Sequence, residues 1–95
     1  MSTKLDLYEK AILTITKEQE KIVGKALSIQ MTALVDNLSV KNNKVEIKGD
    51  PKIVLKDLVD QYANLFGKAS IEVSKEAIKK LGHELESSDI PENLK

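Results

Sequence analysis

Few side chains in this 95-residue chain can do chemistry. His83 is the sole histidine, the one group whose ordinary pKa lies near neutrality and so the first candidate for acid–base work. Helical spacing sets it on a polar face near Glu76 and Lys79, the position of a solvated surface side chain. Asp57 and Asp60, like Glu72 and Glu76, are spaced to bring two carboxylates to one helix face. Such pairs become acid and base when burial drives their pKa values apart. These four fall among lysines on polar faces and read as solvated charge. The chain has no cysteine, which excludes a disulfide framework, a thiol nucleophile and a zinc–thiolate site; one histidine cannot form a two-histidine metal centre. Gly49-Asp50-Pro51 stands where phosphate loops occur, after a strand pattern and before a helical one. Its aspartate repels phosphate, its proline donates nothing, and neither G-x-G-x-x-G nor G-x-x-x-x-G-K-[ST] occurs. No nucleophile–base pair is spaced to act, so the expectation is a non-enzyme without metal or cofactor.

Charge points away from nucleic acid without removing it. Fifteen basic residues, every one a lysine, balance 15 acidic ones, and the pI is near 6.6. Nucleic-acid domains usually carry a basic surplus and use the bidentate fork of arginine, which lysine cannot offer. Lys41, Lys44, Lys48 and Lys52 nevertheless cluster on and after a hairpin pattern, with Lys56 beyond. They are the contacts a nucleic-acid-associated regulator would use. Lysine on strand edges also blunts aggregation, a purely structural role.

The elements that position these groups follow from apolar spacing. Leu5, Tyr8, Ala11, Ile12 and Ile15 mark one face of a first helix from about residue 3 to 15. Thr16 and Gln19 match a capping box, which predicts a break there and a second helix over 17–38; one helix through 3–38 is the alternative. Residues 38–41 and 44–48 alternate apolar and polar around Asn42-Asn43, a β-hairpin signature. Val40, Val45 and Ile47 would face inward, Lys44, Glu46 and Lys48 outward. Asp50 and Pro51 open a third helix as N-cap and first residue, and Gly67 closes it. Ser70 is expected to cap a fourth helix over 71–86, with a strand over 69–73 as the competing reading. The expected fold is mostly helical α+β, helix-helix-hairpin-helix-helix, in a single domain over 1–86. Residues 87–95, with Pro91 and two serines, are expected to form a flexible tail.

Function reduces to apolar surface. Tyr8, Tyr62 and Phe66, the only aromatics, fall on apolar faces and read as core. Ile22, Val23, Ala26, Leu27, Ile29, Met31, Ala33, Leu34, Val35 and Leu38 wrap most of the second helix, more than a surface helix needs. Gly24, Ser28 and Thr32 add small residues at four-residue spacing. The expectation is a small interaction module that self-associates, most simply as a homodimer, through Val23, Leu27, Met31 and Leu34. Two alternatives stand beside it: the lysine-hairpin regulator, and a sensor or carrier of a small apolar ligand held between helices. The opening residues lack a signal peptide's apolar run, and no window is apolar enough to span a membrane, so the cytoplasm is the expected location.

Overall fold

The first helix starts where threonine can cap it. Thr3 Oγ1 accepts the Asp6 amide at 3.1 Å while the Asp6 carboxylate accepts the Thr3 amide at 3.3 Å, a reciprocal capping box. From there α1 runs Lys4–Val23 without interruption in this computed structural model, which describes residues 3–81 and 84–95. The break expected at Thr16 does not form. Thr16 Oγ1 donates to the Ile12 carbonyl at 2.9 Å, back along its own helix, so it caps nothing. The buried face of Tyr8, Ala11, Ile12 and Ile15 continues through Thr16 to Gln19, which holds the helix together across the polar stretch. The chain breaks instead at Gly24, with φ +89° and ψ 158°, a backbone region essentially reserved for glycine. After it comes α2, Lys25–Ala33, only nine residues long.

The hairpin forms as its spacing requires. Strands β1 (Leu38–Lys41) and β2 (Lys44–Ile47) pair antiparallel, with Leu38 opposite Ile47 and Val40 opposite Val45. Asn42 and Asn43 both take positive φ, 51° and 65°, the demand of a type I′ turn. Val45 is buried and Leu38, Val40 and Ile47 pack against the core, leaving the lysine face outward.

Helix α3, Pro51–Phe66, begins and ends at the residues that predict it. The Asp50 carboxylate accepts the Lys52 amide at 2.9 Å, Pro51 occupies the first turn, and the Gly67 amide closes on the Ala63 carbonyl at 2.8 Å. Helix α4, Lys68–Lys79, starts directly after Gly67 and ends well before residue 86. Ser70 is therefore inside its first turn and buried, not its cap, and the strand over 69–73 is absent because Ser70, Ser74, Ala77 and Ile78 form the buried helical stripe.

Where composition predicts a flexible tail, the chain makes two short 3-10 turns, Ser87–Asp89 and Glu92–Leu94, folded back on the body. Pro91 is fully buried and Leu85 and Leu94 join the core. Polar anchors fix the path: the Tyr8 hydroxyl donates to the Asp89 carbonyl at 2.6 Å, and Lys4 pairs with the Asp89 carboxylate at 2.6 Å. The Lys52 ammonium donates to the Ser88 carbonyl, and the Asn93 amide to the Lys56 carbonyl and the Asp60 carboxylate. Apolar residues dispersed among serines, acidic residues and one proline carry no period, so burial of this segment leaves no periodic trace.

The architecture is the expected α+β arrangement, helix-helix-hairpin-helix-helix in one domain. One core runs through it, built on Ile12, Ile15, Leu55, Leu58, Val59 and Tyr62, with the inner face of the hairpin packed on one side. Among the described residues no helix is long and apolar enough to cross a membrane.

Candidate interaction surface

Helix α2 is inside out. Its buried residues are Ser28, Met31 and Thr32, two of them hydroxylic, while Ala26, Leu27, Ile29 and Ala33 are exposed. An amphipathic helix on a core normally shows the reverse. Close backbone approach explains the inner face. Ser28 Oγ donates to the Thr16 carbonyl of α1 at 3.1 Å and meets the Tyr62 hydroxyl of α3 at 2.8 Å, so one small polar residue ties three helices together. A larger side chain at 28 has no room, being fully buried. Burial pushes the Tyr62 hydroxyl pKa above the ordinary tyrosine value, and its hydrogen bond to Ser28 offsets part of that rise.

Of the four residues expected to form the contact surface, two are exposed to solvent. Leu27 is 42% exposed and Leu34 is 59% exposed. Seven residues apart, they return to nearly the same side after two turns of 3.6 residues. Met31 lies between them in sequence but rotates inward, where it is 4% exposed and part of the core cluster. Val23 is half-buried and ends α1, across the Gly24 bend, so it does not continue the α2 row. The structure thus brings Leu27 and Leu34 together on one outer flank, and assigns Met31 to the monomer. Ile22 and Ile29 are also exposed, at 63% and 47%, the former at the end of α1 and the latter on the opposite flank of α2. Hydropathy alone placed them on an apolar helix; their exposure depends on where the chain bends.

Nothing charged interrupts the outer flank. Between Gly24 and Asp36 the only charged residue is Lys25. The hairpin lysines differ in their freedom: Lys41, Lys44 and Lys48 are exposed, whereas Lys52 is half-buried and its ammonium is held by the Ser88 carbonyl at 2.8 Å. Lys41 and Lys44 stand directly opposite each other across the turn.

The groups with chemical potential are dispersed. Asp60 pairs with Lys56 at 2.9 Å and Glu76 with Lys79 at 3.3 Å, both at the surface, and Glu72 faces Lys75 at 3.6 Å. Glu18 is held below the usual carboxylate range by its hydrogen bond to Lys80 and then by Lys21. Asp89 is lowered by Lys4 and by the Glu86 amide. Among the described residues no three acidic or histidine side chains cluster to hold a metal ion. The acid–base candidate His83 lies outside the described residues. No family model, curated protein or solved structure matches the chain.

Proposed function

We propose that this chain is a cytoplasmic, non-enzymatic interaction module that self-associates through the outer flank of α2. The observation that carries the reading is the inverted polarity of that helix: it buries serine and threonine and turns Leu27, with Leu34 at its C-cap, to solvent. Exposed apolar side chains that share one flank, rather than standing far apart as Ile53 and Leu65 do along α3, mark contact surfaces. A second copy is the occupant that the charge pattern favours. In a two-fold contact each patch meets itself, so any charge on it would face its own sign. This flank carries none, and the chain's net charge is zero.

Magnitudes set the expected strength. Complete burial of a leucine contributes about 1.5–3 kcal/mol, and these leucines start roughly half-exposed. Four half-contributions from two copies reach about 3–6 kcal/mol, against an association cost of about 4–15 kcal/mol. The two leucines alone therefore do not offset that cost, and the proposed dimer requires further contacts around them, which makes it weak and concentration-dependent. Leu27→Lys and Leu34→Lys test it by light scattering with far-UV circular dichroism as the fold control. Each is expected to shift the mass toward the 10.6 kDa of one chain with helicity unchanged. An assembly unaffected by both substitutions would overturn the reading.

A further inference from the structure

A second surface lies on the other side of α2, and it does not depend on self-association. Helix α2 and strand β1 leave a shared connection, residues 34–37, and run back beside each other, with Thr32 near the closed end and Lys25 and Lys41 near the open one. A cleft of about 440 Å³ opens there, floored by α1. Its α1 wall is Leu13, Thr16, Lys17 and Glu20; its α2 wall is Lys25, Ile29 and Thr32, spaced as one helix face; its third wall is Val40 to Asn43.

Three features of the lining agree on an occupant. Leu13, Ile29 and Val40 supply an apolar strip, and Ile29 is 47% exposed there. Lys17, Lys25 and Lys41 stand around that strip against Glu20 alone, and none of the three makes an ion pair among the described residues. The threonine hydroxyls are already committed as donors, Thr16 to Ile12 and Thr32 to Ile29, so the remaining side-chain donors are ammonium groups and asparagine amides.

The third feature is the strand edge. In a two-residue hairpin the flanking pair, Lys41 and Lys44, is the hydrogen-bonded one, and pairs alternate from there. The Lys48 amide on the Asn37 carbonyl at 2.9 Å has the same phase. Val40 and Leu38 are therefore the residues of β1 whose N–H and C=O point away from β2, and among the described residues no other element bonds Val40.

We propose that the α2–β1 cleft binds an extended acidic peptide segment of a partner protein by strand addition to β1. Its backbone pairs with Val40, an apolar side chain rests on Leu13 and Ile29, and flanking carboxylates meet Lys17, Lys25 and Lys41.

The test is selection of a random heptapeptide display library on the intact protein. Enriched sequences are expected to alternate apolar residues with Asp or Glu. Their affinity is expected to fall at least tenfold on Lys25→Glu/Lys41→Glu protein, whose substituted positions are exposed and whose fold is checked by circular dichroism. Leu34→Lys is expected to leave it unchanged, and N-methylation of alternate peptide amides in the phase that faces Val40 to abolish it. Failure to enrich, equal binding to the charge-reversed protein, or indifference to N-methylation in either phase would overturn the proposal.

Discussion

Replacing Gly24 by alanine gives opposite signs for the two ways this chain could run from α1 to α2. At φ +89° and ψ 158°, the residue sits in a region that costs a side-chain-bearing residue about 1–3 kcal/mol. A Cβ there meets nothing within 4 Å, so the penalty is backbone strain alone and not a clash. Alanine recovers about 0.4–1 kcal/mol by restricting the unfolded chain. The net expectation is a loss of up to about 2.6 kcal/mol, centred near about 1.3 kcal/mol, which lowers Tm by about 5–10 °C at that centre for a domain of this size. If instead one helix ran through residue 24, the same substitution would replace glycine in a helix interior and stabilise by about 0.5–1 kcal/mol. Urea and thermal unfolding followed by circular dichroism separate the cases by sign. A Gly24→Ala protein more stable than the parent by about 0.5 kcal/mol or more would refute the bend and with it the orientation of α2.

Ser28→Ala removes the hydroxyl shared by the Thr16 carbonyl and Tyr62, and is expected to cost about 1–3 kcal/mol by chemical denaturation, because buried polar partners are left behind. A neutral result would contradict the three-helix junction. Acid should destabilise through Asp89 and Glu18. Their folded pKa values are depressed, so their contribution is fully present above the unfolded carboxylate values of about 4 and is lost as pH falls through the lower folded values. Asp89→Asn/Glu18→Gln should flatten the decline of Tm between about pH 6 and pH 2, and an unchanged slope would refute the assignment. At the alkaline end the Tyr62 hydroxyl, raised by burial, should ionise together with unfolding; tyrosinate absorbance appearing at ordinary pH in a folded protein would contradict its burial.

The parts of the fold that were legible are those where local chemistry and long-range packing agree. Asp50-Pro51 and Gly67 bound α3 because an N-cap, a proline and a C-cap act within a few residues of themselves. The Asn42-Asn43 turn and the alternating strands likewise carry their geometry locally. The break between α1 and α2 is different. Thr16-x-x-Gln19 satisfies a capping pattern, yet tertiary burial of Thr16 and of Gln19, whose amide donates to the Ser70 carbonyl at 3.1 Å, keeps the helix intact. Gly24 then carries the bend. Met31 and Leu34 of one anticipated surface separate into core and solvent because α2 ends at Ala33, between them, and only Met31 lies on its buried side. The packed C-terminal segment had no periodic signal at all, only Leu85, Pro91 and Leu94 among polar neighbours. The α2–β1 cleft was equally hidden, since its lysines and its apolar strip come from three segments distant in sequence.

The most direct measurement is an isotope-filtered NOE experiment on a mixture of labelled and unlabelled protein, at concentrations where light scattering gives twice the 10.6 kDa chain mass. The account predicts intermolecular contacts at the methyl groups of Leu27 and Leu34 and none at the buried Met31 methyl. A mass of one chain at every concentration, or intermolecular contacts confined to other faces, would contradict it.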